Sequence, residues 1–341
     1  MNKTESFQDI STTHNEKIRG KRILILGGLG MIGSNLACKL VACDAEVTIV
    51  DAFIEPFGAN LFNISGIKEK VNLNIADIRD RDAMKILVRD KDIIFNLAGQ
   101  ISHNDSIDNP LLDADINYIG HLNVMESIKK YNPKATVLFS GSRLQFGLID
   151  SLPVNEKHPL NPRTPYALNK TASEQMYNYY NNVFGIHTVV FRIANPYGIR
   201  CQMKHSKYSI VNYFIRQAMQ NATIKVFGYG KQIRDYIYVE DLIDAFILAS
   251  VSDNTNGEIY NIGSGTGTAF IDMVETIIDV VDKGKVKYVP WPDDYLNVET
   301  GDYITDISKI SLDLEWKPRI ELREGVEISY NYYKKYMDYY V

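Results

Sequence analysis

The chain has 341 residues, of which 45% are hydrophobic and 23% are charged, and its formal net charge is −5. A chain of this length can bury a large core and is expected to form about two domains. The negative charge gives no general attraction to nucleic acid or to an acidic membrane surface, and no apolar run approaches the ~18 residues that a membrane span needs, so neither partner is expected.

The first twenty residues are polar, carry charges of both signs and lack an apolar signal core. They predict a disordered lead over residues 1–20 rather than a targeting sequence. The three cysteines, Cys38, Cys43 and Cys201, match neither a disulfide framework nor the paired spacing of a zinc site. We therefore expect a cytoplasmic protein that holds no metal.

The stretch from residue 23 to residue 36 predicts a strand, a tight turn and the start of a helix. Residues 23–26 are aliphatic, as in a parallel strand buried on both faces, and the residues after the glycines follow a helical spacing. Glycine at such a joint permits positive φ and close approach of the backbone to a ligand, and the helix N-terminus offers unpaired N–H groups to an anion. A pyrophosphate suits this turn, and its expected contacts are Gly27, Gly30, Met31, Ile32 and Gly33.

The second predicted strand, Glu46–Asp51, ends in a carboxylate. Asp51 lies close to the offset of about 20 residues at which an acid binds the ribose hydroxyls of a dinucleotide. A 2′-phosphate would meet like charge there, and Ala52 and Phe53 supply no arginine, so the pattern favours NAD(H). The alternative is a surface loop with an aspartate at its strand end.

Strands and helices continue to alternate, with strands predicted over 71–77 and 93–99 and helices over 83–88 and 117–130. This alternation is typical of an α/β fold with a doubly wound parallel (Rossmann) sheet, in which ligands bind beyond the carboxyl ends of the strands. At those ends we expect the chain to contact the adenine and to run along the cofactor, although ordinary loop residues would give the same pattern. The residues concerned are Asp77, Ile78, Leu97, Ala98 and Gly99.

Three residues form a candidate catalytic group. A strand predicted over 135–140 leads into Ser142, and a helix predicted over 166–184 carries Tyr166 and Lys170, whose spacing of four places both on one helix face. A tyrosine pKa near 10 makes the phenol a poor base, and a shift to ~7 takes about 4 kcal/mol, which Lys170 and a positively charged nicotinamide ring can supply together. Ser142 would orient a substrate hydroxyl while Tyr166 takes its proton and hydride leaves to the nicotinamide. The predicted reaction is oxidation of an alcohol to a ketone.

Tyr330 and Lys334 repeat the Tyr-x-x-x-Lys spacing near the C-terminus. With 22 tyrosines in the chain, such a pair arises easily. This pair follows no predicted strand end, so the face of a terminal helix is the simpler interpretation. Only Tyr166 and Lys170 follow the glycine turn, the acidic strand end and the serine strand in the order that one site needs.

Together these residues resemble the extended short-chain dehydrogenase/reductases, and among them the NAD-dependent nucleotide-sugar epimerase/dehydratase family. The resemblance covers about residues 21–333 and rests on the glycine turn, the Ser, Tyr and Lys group, and segments 195–198 and 234–241. It implies NAD as cofactor, a nucleotide-diphosphate sugar as substrate, and a homodimer formed through a four-helix bundle that includes the Tyr166 helix. The residues that it implies at the cofactor are Asn117, Ser140 and Pro196, and those at the substrate are Asn117, Ser142, Arg143, Asn195 and Arg234.

Departures from the family's motifs narrow the predicted reaction. The 4,6-dehydratases carry an Asp-Glu pair directly after the catalytic hydroxyl residue and the uronate decarboxylases a glutamate, whereas Arg143 and Leu144 stand here. The cysteine of the 3,5-epimerase/reductases is also absent from this loop. A nucleotide-sugar 4-epimerase remains, which returns hydride to the opposite face of a transient ketone. The alternatives are a 4-dehydrogenase or 4-ketoreductase, and a 2-epimerase, because segment 98–110 resembles that of CDP-paratose 2-epimerases. A non-enzymatic NAD sensor is disfavoured by the intact catalytic group.

Two features leave the substrate open. The family's second phosphate-binding arginine is replaced by the Val-Glu-Thr of residues 298–300, so Arg200, Lys204 or Arg216 is expected to meet the diphosphate, with Arg200 assigned to the substrate. His103 is either a sugar contact or a solvated loop histidine.

Two domains are predicted. Residues 21–193 with 235–264 form the NAD-binding domain, and residues 195–234 with 268–341 form a smaller C-terminal α/β domain that binds the nucleotide sugar. A helix over 237–251 is expected to return the chain to the first domain.

Overall fold

The computed structural model describes residues 12–55, 58–292 and 299–341. At its centre lies a seven-stranded sheet in which every neighbouring pair is parallel. Its strands are β1 (Arg22–Leu26), β2 (Glu46–Asp51), β3 (Val71–Ile75), β4 (Ile93–Asn96), β5 (Thr136–Ser142), β6 (Thr188–Ile193) and β7 (Ile259–Ile262). Their order across the sheet is β3-β2-β1-β4-β5-β6-β7. This order confirms the predicted doubly wound α/β fold, because it reverses direction between β1 and β4.

The described helices flank the sheet or continue the chain beyond it. They are α1 (Thr12–Ile18), α2 (Met31–Ala42), α3 (Arg81–Leu87), α4 (His103–Asp108), α5 (Pro110–Ala114), α6 (His121–Tyr131), α7 (Pro165–Phe184), α8 (Ile210–Met219), α9 (Val239–Ser250), α10 (Phe270–Val281), α11 (Ser308–Leu314) and α12 (Leu322–Tyr336). A π-helical turn, Asp115–Gly120, joins α5 to α6. Within these ranges, none of the helices is both long and apolar enough to cross a bilayer.

Strand β1 shows how the sheet separates two hydrophobic cores. Successive side chains of a strand point to opposite faces, so Ile23 and Ile25 join one core and Leu24 and Leu26 join the other. Helices α2 and α9 cover the first face, and α3, α6 and α7 cover the second. All four aliphatic residues are fully buried, as predicted for a strand covered on both faces.

Three small pairs of strands lie outside the central sheet. Asn195–Tyr197 pairs with Tyr236–Tyr238 and Thr223–Phe227 with Lys285–Val289, both in parallel. Ile233–Arg234 pairs antiparallel with Thr268–Ala269. These segments come from the predicted substrate domain, except that Tyr236–Tyr238 was assigned to the first domain. The domain boundaries themselves remain a prediction.

Three sequence-based expectations differ from the structure. Residues 12–18 form α1, with Ile18 fully buried, so disorder was wrong for this part of the lead, and residues 1–11 lie outside the described residues. The helix expected over 237–251 begins at Val239, because Tyr236–Tyr238 is held as a strand. The chain expected to become helical at Asn117 is helical from Pro110 onwards, and a proline fits the first turn of a helix.

Candidate active site

A cavity of about 820 Å³ opens at the carboxyl ends of the central strands. This volume lies within the range of about 300–1,000 Å³ that is usual for small-molecule sites. The cavity brings together nearly all of the predicted site residues. Those in its wall are Gly27, Gly30, Met31, Ile32, Gly33, Asp51, Asp77, Ile78, Leu97, Ala98, Gly99, Ser140, Ser142, Arg143, Tyr166, Lys170, Asn195, Pro196 and Arg234.

The glycine turn is closed towards the protein and open towards the cavity. Gly27 has φ +79°, and a Cβ at Gly33 would lie 2.4 Å from the Gly27 carbonyl oxygen, so the turn and α2 pack without room for side chains. At Gly30 the nearest atom to an added Cβ is 3.7 Å away. Gly30 precedes α2, and no side chain caps that helix N-terminus. Its first N–H groups are therefore available to a phosphate.

Asp51 fixes the same turn from the end of β2. Its two carboxylate oxygens accept hydrogen bonds from the backbone N–H groups of Leu29 and Phe53, both at 3.0 Å. Burial raises the pKa of the Asp51 carboxyl. A carboxylate in this place accepts hydrogen bonds from a ribose diol and repels a 2′-phosphate.

The next strand ends continue the cavity wall. Asp77 is paired with Arg79 at 2.6 Å, while Ile78 is buried and contacts the position of Gly120. Gly99 packs closely on Asn117, where an added Cβ would lie 2.8 Å from the amide oxygen. This wall is thus apolar at Ile78 and made of backbone at Gly99.

Asn117 lies behind the cavity wall and is not part of it. Its side-chain nitrogen donates to the Gln100 carbonyl at 2.8 Å and to the Asp113 carboxylate at 3.0 Å. Its main-chain carbonyl accepts a hydrogen bond from the Ser173 hydroxyl at 2.6 Å. Its buried Oδ1 has no hydrogen-bond partner among the described residues. In this structure Asn117 positions the chain around Gly99 and does not face the cavity.

The three candidate catalytic residues meet in the wall. Ser142 ends β5, and Tyr166 and Lys170 lie one turn apart near the start of α7, which Thr164 caps and Pro165 opens. The Ser142 hydroxyl lies close enough to the Tyr166 phenol to lower the pKa of that phenol. The Lys170 ammonium lies 6.0 Å from the Tyr166 ring centroid and donates to the Ser140 carbonyl at 3.0 Å.

Burial governs the protonation of this group. It raises the pKa of Tyr166 to about 12, although the Ser142 hydroxyl acts to lower that pKa. It lowers the pKa of Lys170 to about 8. The protein groups alone therefore leave the phenol protonated at neutral pH, in agreement with the expectation that a second positive charge is required.

Asp113 is a residue that the sequence analysis missed. It is fully buried on α5, where its carboxylate accepts from Asn169 at 2.7 Å and from Asn117 at 3.0 Å. Its negative charge raises the pKa of both Lys170 and Tyr166. A single aspartate in the short helix PLLDA fits many ordinary structural roles, so the sequence carried no signal for this one.

Arg143 and Arg234 lie on the side of the cavity opposite the glycine turn. Arg143 donates from Nε to the Asn195 side-chain oxygen at 3.1 Å and from Nη1 to the Thr300 hydroxyl at 3.2 Å. Arg234 forms an ion pair of 2.5 Å with Glu299. Glu299 belongs to the segment that replaces the family's second phosphate-binding arginine. Its carboxylate thus pairs with Arg234, the phosphate-binding arginine that the chain retains.

Arg200 does not reach the cavity, so its assignment to the substrate was wrong. Its guanidinium donates to the side chain of Asn35 at 2.7 Å and to the Asn63 carbonyl at 3.2 Å, which joins α2 to the 61–64 turn. Arg216 binds the carbonyls of Met203 and Lys204 in a similar way. Of the three cations expected at the diphosphate, neither arginine nor Lys204 is part of the wall.

His103 begins α4 and lies in the cavity wall. Burial, followed by the charge of Arg143, lowers the pKa of its imidazole to about 4. The ring is therefore neutral at physiological pH. Its place at the start of a helix and in the cavity wall favours the sugar contact, which stays a prediction.

The second Tyr-x-x-x-Lys pair lies on α12, where the Lys334 ammonium is 6.0 Å from the Tyr330 ring. Neither residue is part of the cavity wall. Its interpretation as a helix face is confirmed.

NAD fits the residues that form this cavity. The unfilled space in front of Gly30, the uncapped start of α2 and the carboxylate of Asp51 provide places for a pyrophosphate and a ribose. The buried group of Ser142, Tyr166 and Lys170 lies further along the same cavity. The fold and these contacts define a dinucleotide-binding α/β enzyme.

The comparison with protein families agrees. The chain belongs to the NAD dependent epimerase/dehydratase family, whose model matches residues 23–263, and it is an NAD-dependent enzyme. The resemblance found in the sequence is thereby confirmed.

Individual relatives span nearly the whole chain. The chain is 35% identical over 314 residues to a putative UDP-glucose 4-epimerase of Methanocaldococcus jannaschii, covering 92% of this chain and 98% of that protein. It is 28% identical to a CDP-paratose 2-epimerase of Salmonella typhi, covering 91% of this chain and 98% of that protein. Among solved structures, a UDP-glucose 4-epimerase from Thermotoga maritima with UDP-glucose is 28% identical with a TM-score of 0.84, covering 93% of this chain and 99% of that one.

Proposed function

We propose that this protein is a nucleotide-sugar 4-epimerase that oxidises the C4 hydroxyl of the sugar to a transient ketone and reduces the ketone from the opposite face. The observation that carries the proposal is the meeting of Ser142, Tyr166 and Lys170 in the wall of the cavity that begins at the glycine turn. The family and the 4-epimerase with 35% identity support it.

The residues divide the chemistry as follows. Ser142 lies next to the Tyr166 phenol and hydrogen-bonds the reacting hydroxyl, so it orients the substrate hydroxyl towards the phenol. Tyr166 takes the hydroxyl proton during oxidation and returns it during reduction. Lys170 stabilises the phenolate by its charge. NAD, when bound, accepts the hydride and gives it back.

The far end of the cavity suits a nucleoside diphosphate. Phe227 and Trp291 lie in its wall with ring centroids 5.4 Å apart, and they offer apolar faces to a base. Asn195 and Arg234 lie in the wall of the same cavity and offer hydrogen bonds to the phosphates and the sugar. The sequence alone does not reveal this aromatic pair, because its two residues are far apart along the chain.

The residue types next to Ser142 disfavour elimination of water or loss of a carboxyl group. Arg143 and Leu144 carry no carboxylate that could remove a proton from the sugar, and both lie in the cavity wall. A 4-dehydrogenase or 4-ketoreductase would use the same catalytic group. A 2-epimerase is the alternative that the relationship to the Salmonella typhi enzyme favours.

A panel of nucleotide sugars separates these reactions. The purified protein is incubated with each sugar, and products are resolved as C4 epimers, C2 epimers or ketones. We expect C4 epimers without net formation of NADH. Stoichiometric NADH with a ketone product would contradict the proposal in favour of a dehydrogenase, C2 epimers would favour a 2-epimerase, and inertness towards every sugar would favour an NAD sensor.

We further propose that the protein is a homodimer in the cytoplasm. Four residues of α4, α5, the π-helical turn and α7 form an exposed apolar helix face, and α5 packs against α7. The members of this face are Ile107, Leu111, Ile119 and Leu168. Helices from two copies can bury such faces in a four-helix bundle. The cytoplasmic location is supported by the three cysteines, which are free thiols.

A further inference from the structure

We propose that Arg143, together with Asn195 and Thr300, forms a subsite for an anionic group on the sugar ring, so that the preferred substrate is a nucleoside diphosphate hexuronate. This rests on the proposed chemistry at C4 and deepens it, because it names the class of sugar. The chemical group recognised is a carboxylate on the ring carbon next to C4.

Arg143 is a guanidinium at the cavity that forms no ion pair with a carboxylate among the described residues. The charge of Glu299 raises its pKa, but that carboxylate is paired with Arg234. Its hydrogen bonds go to two neutral groups, the Asn195 amide and the Thr300 hydroxyl. Tyr303 lies beneath it, with the ring centroid 5.4 Å from the guanidinium carbon. Withdrawal from water lowers its pKa to about 10, so the group keeps its charge at neutral pH. A half-buried guanidinium whose neighbouring carboxylate is already paired can bind a further anion.

The other cations in the described wall are already engaged or lie elsewhere. Arg234 is paired with Glu299 at 2.5 Å, and Lys207 is paired with Asp105. Lys170 belongs to the catalytic group, and Lys225 is exposed on the Thr223–Phe227 strand. Arg143 is therefore the arginine of the described wall that forms no ion pair and can bind an anionic ligand.

Its place in the chain determines which part of a substrate it meets. Arg143 directly follows Ser142, the residue that holds the C4 hydroxyl in the proposed reaction. On a hexopyranose the neighbours of C4 are C3 with its hydroxyl and C5 with the C6 group, whereas the diphosphate is attached at C1, across the ring. A guanidinium beside the C4 position thus meets an oxidised C6 group before it meets the diphosphate. Arginine binds a carboxylate with two parallel hydrogen bonds.

His103 is compatible with this assignment. It is close enough to Arg143 for that charge to lower the pKa of its imidazole, and both side chains lie in the wall. The neutral ring offers an N–H to a carboxylate without adding an acid that would compete for Arg143.

The test compares matched substrates. The full chain with NAD is given UDP-glucose and UDP-glucuronate, and the corresponding CDP and dTDP pairs, and both kcat/KM for epimerisation and Kd by calorimetry are measured. We expect the hexuronate to be preferred over the hexose at least about tenfold, and Arg143→Gln to reduce the ratio of hexuronate to hexose by about 10- to 100-fold in both quantities. Arg143→Lys should restore part of the ratio, because it keeps the charge but loses the bidentate geometry.

Arg89→Gln is the matched control, since Arg89 is an exposed arginine at the end of α3 outside the cavity wall. It removes the same charge and should leave the ratio as in the parent. Thermal unfolding of each variant shows that it is folded.

Three results would overturn the inference. A parent protein that prefers the hexose would do so, as would an equal loss for hexose and hexuronate in Arg143→Gln, which would place Arg143 at the diphosphate. Failure of every pair to bind would also overturn it. The epimerase proposal fails separately, when sugars bind but no epimer forms, and in that case the Kd ratio still decides the role of Arg143.

Discussion

Tyr166 is the residue on which the proposed chemistry depends. Tyr166→Phe removes the proton acceptor but keeps the ring, and should reduce epimerisation by about 10²- to 10⁴-fold. The NAD content of the purified protein should stay as in the parent, because the glycine turn and Asp51 are untouched. Tyr330→Phe is the control, since Tyr330 belongs to the second Tyr-x-x-x-Lys pair, on α12. Epimerisation by Tyr166→Phe at the parent rate would rule out the mechanism.

Asp113 sets the charge around Tyr166 and Lys170 from behind the site. Its charge raises the pKa of Lys170 and also that of Tyr166. Asp113→Asn removes that charge, so both pKa values should fall. With NAD bound, the positive nicotinamide ring lowers the pKa of Tyr166, so activity is expected to rise with pH as Tyr166 ionises and to fall as Lys170 loses its proton. Both limbs of the pH–rate profile should therefore move to lower pH in Asp113→Asn.

The matched control for this change is Asp115→Asn, two residues further along the chain and exposed. Its profile of kcat/KM against pH should coincide with that of the parent. A lower rate in Asp113→Asn without movement of either limb would show that Asp113 acts only as a hydrogen-bond acceptor for Asn117 and Asn169.

At the scale of elements, the turn between β1 and α2 distinguishes two roles for glycine. Gly33→Ala places a Cβ 2.4 Å from the Gly27 carbonyl oxygen, whereas Gly30→Ala meets no atom closer than 3.7 Å. We expect Gly33→Ala to destabilise the fold by about 1–3 kcal/mol, because α2 must move away from the turn. Gly30→Ala should unfold at the parent temperature but bind NAD more weakly, since its methyl group projects into open cavity space.

Thermal unfolding with and without added NAD measures both effects. The two variants serve as controls for one another, because each adds the same methyl group to the same turn. A rise in unfolding temperature on adding NAD that is as large in Gly30→Ala as in the parent would show that the opening at Gly30 is not a ligand site.

The same element shows why part of the site was predictable. The glycines and Asp51 lie on neighbouring elements with a short chain between them, so their spacing alone predicts how they meet. Tyr166 and Lys170 share one helix turn and follow the same logic. These predictions needed only local geometry.

Residues that failed prediction depend on contacts between distant parts of the chain. Arg200 was assigned to the substrate because the family's second phosphate-binding arginine is replaced in this chain. Its guanidinium instead binds Asn35 and Asn63, which lie more than a hundred residues earlier. The pairing of Glu299 with Arg234 likewise joins residues far apart. Helical periodicity and strand spacing carry no information about such partners.

At the scale of the whole molecule, the apolar helix face of Ile107, Leu111, Ile119 and Leu168 tests the proposed dimer. Leu111 is 79% exposed and Leu168 is 58% exposed, which is costly for two neighbouring leucines unless another surface covers them. In a two-fold symmetric bundle each residue of the face lies against the same face of the second copy.

Leu111→Glu would then place carboxylates of both copies in an apolar contact, where burial and like charge both oppose association. We expect light scattering to give the mass of a dimer for the parent and of a monomer for Leu111→Glu. Leu312→Glu on α11 is the control, because Leu312 is 82% exposed but lies outside this face, and it should remain dimeric. A parent that is monomeric, or a Leu111→Glu variant that keeps the dimer mass, would contradict an interface on these helices.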